Sequence, residues 1–484
     1  MDHSSARRDG TNPTKVKQVS REVTSSVPFA FYLPEDPDYT IVDSALDSIR
    51  FLRAVSEPDN YGDLFCRSVD ATPEGLEPYR GRFMEGVGYC ADSVFGGHYL
   101  VRFGRAVKRP ELEAMGWSYL DHTLAGGFFD DPDVPVRLYR DTDSGRFLDN
   151  LEGRDGYIEH GHIARVGHQL LQVAHLDPQT ERAERSRAIA IRVAEWIDES
   201  QRCDNGWFPR RSRPDGSVFP YAVDSLGPTD LPGLEYPDPI SDRSGAGSMA
   251  LHFLAEATRT GLYEATTSVR AAAQAFVDAG GHFGSVNTDT EDLAENVSFA
   301  LGFQALLAAA DVLEDSDLSD FAFERCLSGL EQFELISDLN GCATKGLLYM
   351  ETSWNAACTW EIAISAAAYL DAHSRRPKRE FLLKSLTMLR GLAKHHHGDL
   401  GFLTEAVDWD GHSPKTRHLG RAGLGDIGTT HPFLNNLHLL EPTVLFLETA
   451  AIGHEDHDRG SGLYDVEGNR LCGIPIRPEP WMRT

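Results

Sequence analysis

The chain has 484 residues, and 41% of them are hydrophobic, so it can bury a large core. Its 74 acidic and 46 basic residues give a net charge of −28, and a surface of that sign repels nucleic acid and anionic membranes. The 7 cysteines include no CxxC pair, which argues against a disulfide framework or a zinc knuckle. No phosphate-binding loop, GxSxG or HExxH motif occurs and no histidine spacing matches a metal-ligand pattern, so we expect no metal and no cofactor. The charge also excludes a nucleic-acid partner.

The N-terminal segment 1–28 is polar and predicts a flexible tail. Arg7-Arg8 resembles a twin-arginine start, but no apolar run follows it. We judge no stretch long and apolar enough to cross a bilayer. The sequence therefore predicts a cytoplasmic protein without a transmembrane segment, and it leaves the oligomeric state open.

Predicted helices alternate in type along the chain. A helix that is small or apolar on nearly every side is followed by a helix with one apolar stripe. The first predicted helix, 39–54, and the last, 435–451, have no partner of this kind. The complete pairs lie between them: 87–103 with 109–122, 157–173 with 181–201, 244–257 with 263–279, 295–313 with 318–335, and 355–373 with a helix that Pro377 opens and that ends near His395–His397.

The two unpaired helices suggest how the chain closes. If 39–54 packs on 435–451, six hairpins form a ring and no apolar face is left exposed. This predicts an all-α fold, an (α/α)6 toroid over residues 29–454 with long loops at one end. Residues 455–484 then form an extension packed on the toroid. An open helical solenoid is the alternative, but such arrays mostly use short connections.

The long loops lead into the N-termini of the inner helices, so that end of the ring is the predicted mouth. Helix N-termini attract anions, and loops on a rigid frame commonly carry function. Candidate catalytic and substrate-binding residues are the titratable, amide and aromatic residues near these helix starts: Tyr157, Trp207, Tyr236, Asp242, Arg243, Glu291, Asn296, Glu351, Trp354, Asn355, Glu361, Arg417, His431 and Asn435.

Several candidates have structural interpretations too. Asp242 and Glu291 are placed like helix caps. Glu361 lies in an apolar helix, so it must be paired or face a wet cavity, and we favour the cavity. Trp207 is of a type that often packs as a plug between hairpins. The run His395–His397 falls at the C-terminus of an outer helix, where histidine favours the helix dipole.

Residue types at the mouth indicate a carbohydrate. Aromatic rings suit the apolar faces of sugars, and acids and amides suit hydroxyl groups. Arginines in the loops of an acidic protein, such as Arg243 and Arg417, match a carboxylate well. The predicted partner is therefore a small-molecule or oligosaccharide substrate that is anionic.

The layout of paired helices resembles the six-hairpin toroid superfamily, which includes glycoside hydrolases, polysaccharide lyases and sugar epimerases. The second half resembles the helical domain of glucuronyl epimerases, which convert glucuronate to iduronate units. The similar segments are Asn205-Gly206-Trp207-Phe208, 298–303, and Thr429-Thr430-His431 followed by 435–437. The tyrosine of that family before its Thr-Thr-His-like segment is not matched in 425–428, and its β-rich domain has no evident counterpart.

This resemblance implies proton transfer beside a uronate carboxylate. A base, Glu291 or Glu351, would remove the proton, His431 would return one to the other face, and Arg243 or Arg417 would neutralise the carboxylate. A polysaccharide lyase would begin in the same way. A glycoside hydrolase, glucuronidase-like, would instead use two carboxylates, drawn from Asp242, Glu295, Glu351 and Glu361. A non-catalytic glycan-binding protein would lack any opposed acid and base.

Overall fold

A computed structural model describes most of the chain. The described residues are 39–55, 69–72, 75–78, 84–85, 92–141, 144–150, 156–223, 235–286, 292–351, 355–397, 401–411, 418–419, 423–449, 452–453, 463–464 and 470–472. The expected tail 1–28 and most of the expected extension 455–484 lie outside them.

Helices dominate the described residues. They are α1 (Ile41–Val55), α2 (Asp92–Ala106), α3 (Pro110–Ala125), α4 (His160–Leu176), α5 (Glu181–Glu199), α6 (Gly247–Arg259), α7 (Thr266–Asp278), α8 (Asn296–Leu313), α9 (Ser316–Phe321), α10 (Thr359–Arg375), α11 (Arg379–Ala393) and α12 (Leu440–Thr449). A π turn (Ala322–Leu327) and a 3-10 turn (Leu330–Phe333) continue α9. A π turn (Pro432–Asn436) and a 3-10 turn (Leu437–Leu439) precede α12.

Local sequence signals explain where these helices begin and how closely they pack. Pro110 opens α3, where a missing N–H costs nothing. The Thr180 hydroxyl accepts a hydrogen bond from the Ala183 N–H at 3.2 Å and so caps α5. A Cβ on Gly116 of α3 would lie 2.7 Å from the Gly97 carbonyl oxygen of α2. Glycine at these positions therefore lets the two helices touch backbone to backbone.

The inner helices form a closed ring. Contacts run in the order α2, α4, α6, α8, α10, α12 and back to α2, and the intervening helices pack outside. The helix without a partner, α1, packs against α12 and the turns that precede it. The predicted pairing of the first and last helices is therefore confirmed, and the solenoid alternative is wrong.

Side chains from opposite ends of the sequence join at this closure. The Ser44 hydroxyl of α1 lies 2.6 Å from His396 Nε2, and the Phe51 and Phe402 rings are 5.3 Å apart. Burial lowers the pKa of His396 to about 3, so this imidazole is neutral. Its neighbours His395 and His397 both contact Asp426. These histidines therefore stabilise the closure of the ring through side-chain contacts. The helix-dipole interpretation did not predict these contacts.

Short antiparallel strands occupy the loops, which the all-α expectation did not include. They are β1 (Val69–Thr72), β2 (Gly75–Pro78), β3 (Met84–Glu85), β4 (Tyr139–Asp141), β5 (Phe147–Leu148), β6 (Ile158–Glu159), β7 (Arg211–Ser212), β8 (Tyr221–Val223), β9 (Glu235–Pro237), β10 (Ala356–Cys358), β11 (Ala406–Asp408), β12 (Gly425–Asp426), β13 (Thr429–Thr430), β14 (Ile452–Gly453), β15 (Leu463–Tyr464) and β16 (Arg470–Cys472).

These strands form six small sheets among the described residues: β13-β1-β2, β10-β11-β12, β14-β15-β16, β3-β4-β5, β6-β7 and β8-β9. Strands β6 and β10 end where α4 and α10 begin, and β13 ends just before the turn that leads to α12. The sheets that contain β6, β10 and β13 therefore brace the loop-rich end of the ring.

The expectation that no stretch is long and apolar enough to cross a bilayer was wrong for one inner helix. Helix α8 is long and apolar enough to cross a membrane by length and composition alone. However, 72% of that window is buried inside the protein. The helix lies between α6 and α10 in the ring, and its apolar character matches that enclosed position.

Candidate active site

Backbone hydrogen bonds tie together the mouth of the ring on the side of α8, α10 and α12. They run from Asn296 N to Met350 O (2.9 Å), Met350 N to Ala356 O (2.7 Å), Ile427 N to Ala406 O (2.9 Å) and Glu405 N to Thr429 O (2.8 Å). Strands β10, β11 and β12 continue this connection. The segments that carry the predicted acids and His431 are therefore neighbours on one edge.

Two buried carboxylates face each other across the first of these contacts. Glu295 and Glu351 form an antiparallel bridge, and both side chains are buried. Residues directly opposite in such a pair have Cβ atoms about 5 Å apart. The Glu295 carboxylate accepts a hydrogen bond from the Val286 N–H at 2.5 Å. Two acids from distant parts of the chain thus share one site.

Asn296 and Glu361 link the starts of two inner helices. Asn296 Nδ2 donates to Glu361 Oε2 at 3.0 Å and to the Tyr349 carbonyl at 2.9 Å, and both side chains are fully buried. Glu361 therefore joins α10 to α8. The expectation that it faces a wet cavity was wrong, because an amide partner balances its burial instead.

His431 is held in a defined orientation at the start of the π turn before α12. Its Nδ1 accepts hydrogen bonds from the N–H groups of Phe433 (3.2 Å) and Leu434 (3.1 Å). Its own N–H donates to Asn435 Oδ1 at 2.6 Å. Since Nδ1 accepts, a neutral His431 carries its proton on Nε2. Asn435 thus braces His431 from the same turn.

The structure places Glu351 and His431 on the same edge of the mouth. Strands β10 and β11 lie between their backbone segments. Glu405, which was not among the candidates, lies between them because its backbone bonds both to Thr359 and to Thr429.

Buried histidine–aspartate contacts support the strands behind this edge. Asp426 lies 2.9 Å from His395 Nδ1 and 2.6 Å from His397 Nε2. Burial disfavours their charged forms, but mutual attraction is stronger, so the pKa of Asp426 is lowered and that of His395 is raised. Asp408 makes a similar contact with His418 Nε2 at 2.9 Å.

Three further candidates lie nearer the surface or the outer loops. The side chains of Asp242 and Arg243 are about half exposed, and they pair with each other at 3.2 Å. Asn355 donates to Asp410 Oδ2 at 2.7 Å. The exposed pair offers no support for Asp242 as a buried catalytic acid or for Arg243 as a carboxylate clamp.

The aromatic candidates that the structure describes are packed into the protein. Trp207 is fully buried, stacks on Phe283 with 4.2 Å between ring centroids, and donates from Nε1 to the Ser244 carbonyl at 2.9 Å. Its proposed contact with substrate is therefore wrong, and the plug interpretation is the one the structure supports. Tyr157 is buried against Phe219, with Arg211 over its ring.

The remaining candidates cannot be placed. Glu291, Trp354 and Arg417 lie outside the described residues. Tyr236 contributes backbone to β9, which pairs with β8, but its side chain is likewise outside the description.

One arginine inside the ring, Arg165, was not among the residues predicted from the sequence. Arg165 of α4 is half-buried, its Nη2 lies 3.1 Å from His438 Nε2, and its guanidinium lies 5.0 Å from the Phe95 ring centroid. In the ring, α2 lies between α4 and α12, so a side chain that joins these two must cross the inner side of α2. Arg165 therefore lies in the lumen, about 8 Å below the start of α4.

Aromatic and imidazole rings complete this luminal layer. Phe95 stacks on His438 with 4.4 Å between centroids, and Trp360 approaches His438 edge-on at 5.9 Å. The sequence signal was a lone arginine among the apolar residues of α4. It was missed because candidates were sought in the loops and helix starts, whereas Arg165 lies deeper in its helix.

Comparison with known proteins supports the architecture. No protein-family model matches the sequence, and no curated protein matches it. Similar solved structures include cellobiose 2-epimerase from Bacillus thermoamylovorans B4167, with a TM-score of 0.58 and 10% identity over 84% of this chain and 98% of that one. The fold is an (α/α)6 toroid.

Two other structures share it. A D-mannose isomerase has a TM-score of 0.54 and 9% identity over 86% of this chain and 98% of that one. The unsaturated glucuronyl hydrolase from Bacillus sp. GL1 has a TM-score of 0.50 and 13% identity over 84% of this chain and 96% of that one. At such identities the similarity establishes the fold alone.

Proposed function

We propose that this protein is an enzyme that acts on a uronic-acid-containing saccharide by moving the proton next to the carboxylate, as an epimerase does. The observation that carries the proposal is the arrangement at the mouth, where buried carboxylates and an oriented histidine share one edge above a luminal arginine. The similar structures named as an epimerase and an isomerase favour sugar chemistry of this kind. The glucuronyl hydrolase favours an anionic sugar.

Arg165 is the residue proposed to bind the substrate carboxylate. A guanidinium matches a carboxylate with two parallel hydrogen bonds, and pairing makes the adjacent carbon more acidic. Arg165 replaces Arg243 in this role, because Arg243 is exposed and pairs with Asp242.

Glu351 is proposed as the base and His431 as the acid. Glu351 is a buried carboxylate, and a neutral His431 has its proton on Nε2, from which it can protonate the opposite face of the sugar carbon. After one turnover the two groups have exchanged protonation states and must re-equilibrate with water.

A glycoside hydrolase is the second candidate, and one observation favours it. Glu295 and Glu351 are directly opposite each other, and retaining glycosidases place two carboxyl groups about 5–5.5 Å apart. The two candidates share Glu351 but differ in the need for His431 and for proton exchange.

Incubation with glucuronate-containing oligosaccharides in deuterated water separates these reactions. Deuterium incorporation without new reducing ends supports the epimerase. New reducing ends alone indicate a hydrolase, and absorbance from an unsaturated product indicates a lyase. Binding without any reaction indicates a glycan-binding protein and would refute the proposal.

Variants test the assigned roles. Glu351→Gln and His431→Asn should each lower the exchange rate by about 100-fold or more, because each removes one partner in proton transfer. Asparagine at position 431 is a good helix cap, so the start of the turn before α12 should persist.

Arg165→Gln should chiefly raise KM, and Arg165→Lys should restore part of the loss. An outer-surface control, Asp320→Asn, should react at the wild-type rate. Full activity in Glu351→Gln would remove it from the proposal.

A further inference from the structure

A cavity lies further along the lumen, beyond the layer that contains Arg165. Its volume is about 510 Å³, and residues from all six inner helices line it. Asp371, one of these residues, is twelve positions after the start of α10, which corresponds to about 18 Å along the helix axis. The lining extends to Ser374 and Arg375, which are exposed in the last turn of α10. The cavity therefore opens at the end of the ring opposite the mouth.

Packed side chains separate the cavity from the mouth. Phe95 and His438 stack on each other in the lumen, as described above. The cavity-lining residues Tyr99 and Glu441 follow them by one helical turn. The two spaces are therefore at different depths in the ring and are bounded by different side chains.

Two carboxyl groups in the cavity receive hydrogen bonds from neutral donors. Gln304 Nε2 donates to Asp371 Oδ2 at 2.6 Å, and the Tyr99 hydroxyl donates to Glu441 Oε1 at 2.8 Å. Among the described residues, no ion pair involves Asp371 or Glu441. Burial and the charge of Glu441 raise the pKa of Asp371 to about 7, and burial also raises that of Glu441.

The arginines at the rim of the cavity form ion pairs with acidic residues other than Asp371 and Glu441. Arg102 pairs with Glu448, and Arg375 pairs with Asp311. The cavity contains three imidazoles, those of His98, His168 and His252. Burial lowers the pKa of each, so they supply no positive charge near neutral pH.

A buried amide adds an independent sign of a missing ligand. Gln169 lines the cavity with only 6% of its surface exposed. Within the described part of the chain, its Oε1 makes no hydrogen bond of good geometry, and the neighbouring His98 ring interacts with this side chain only weakly. A buried acceptor without a donor is costly, so the site favours an occupant with several N–H or O–H groups.

We propose that this cavity binds a small organic cation, an ammonium group on a hydroxylated carbon chain, with Asp371, Glu441 and Gln169 as acceptors. The ammonium supplies the direct ion-pair partner that the two carboxyl groups lack among the described residues, where Arg102, Arg165 and Arg375 act on them only from beyond ion-pair distance. Its N–H groups and hydroxyls satisfy the amide oxygen and the neutral imidazoles. This site does not depend on the function proposed for the mouth.

Glucamine and sorbitol provide a matched pair of probes, since one ammonium of glucamine replaces one hydroxyl of sorbitol. Titration calorimetry of the full chain at about pH 8, where Asp371 is mostly ionised, measures both. Glucamine should bind at least about tenfold more tightly than sorbitol, and Asp371→Asn should weaken glucamine binding about tenfold or more. The surface control Asp320→Asn should bind like the wild type.

Other outcomes would overturn the proposal. These are no glucamine binding, equal binding of sorbitol, or wild-type affinity in a folded Asp371→Asn protein. Should circular dichroism show that Asp371→Asn is unfolded, Glu441→Gln replaces it with the same expected loss. The mouth variant Glu351→Gln should retain glucamine binding, and a loss there would place the probe at the mouth instead.

Discussion

The two ends of the ring lumen shift the pKa of a carboxyl group in opposite directions. At the mouth, Asp426 is surrounded by two imidazoles, and its pKa is lowered. At the far end, Asp371 has an amide donor but no ion-pair partner among the described residues, and its pKa is raised to about 7. The same residue type therefore stabilises the fold at one end when ionised and destabilises it at the other.

Removing the charge at the mouth should have the largest effect on stability. Asp426→Asn leaves two buried imidazoles without their anionic partner, and we expect the free energy of unfolding to fall by about 3–5 kcal/mol. Urea unfolding measures this. The exposed pair of Asp320 with Arg376 is the control, and Asp320→Asn should cost less than about 1 kcal/mol. Equal losses in the two variants would contradict the structural role of Asp426.

The pH dependence of that loss has a defined sign. The lowered pKa of Asp426 gives stability that is present above about pH 4 and lost as the pH falls through the folded-state value. The raised pKa of His395 gives stability that is present below about pH 6.5 and lost as the pH rises through its folded-state value. The difference between wild type and Asp426→Asn should therefore be greatest between these limits.

Substitution of Trp207 distinguishes two roles for its side chain. It either packs in the core or lines the mouth and contacts the sugar. Trp207→Phe removes the hydrogen bond to Ser244 and part of a stacked side chain, so it should lower stability by about 2–3 kcal/mol. Trp196, which is only partly buried, is the matched control, and Trp196→Phe should cost about 1 kcal/mol or less. A raised KM in Trp207→Phe without loss of stability would restore its sugar-binding role.

At the far end, the same kind of substitution should stabilise the protein. The raised pKa of Asp371 means that wild-type stability declines as the pH rises from about 4 through about 7. Asp371→Asn avoids this decline and should be about 1–3 kcal/mol more stable than wild type near pH 8. The nearby Glu441, Arg102 and Arg375 remain in both proteins. Lower stability of the variant near pH 8 would contradict the comparison between the two ends.

The ring itself could be predicted from the sequence. Helices such as 355–373, with small residues on nearly every side, require enclosure, and the leftover helices 39–54 and 435–451 leave one way to close the ring. Repeating hydrophobic patterns carry this information because each hairpin must bury its apolar face on its neighbours.

The candidate site was less predictable, because its contacts join distant segments. That Glu361 pairs with Asn296 depends on how α8 and α10 are placed together. That Arg165 meets His438 depends on the inner curvature of the ring, which spacing along one helix does not encode. The roles of His395 and His397 likewise depend on Asp426, about thirty residues away in the sequence.

Proton exchange at the mouth is the most direct test of the proposed chemistry. The wild-type protein and Glu351→Gln are each incubated with a glucuronate-containing oligosaccharide in deuterated water, and deuterium beside the carboxylate is followed by NMR. We predict incorporation by the wild type without chain cleavage, and a rate at least about 100-fold lower in a folded Glu351→Gln protein. No incorporation by the wild type, or an equal rate in the variant, would contradict the account.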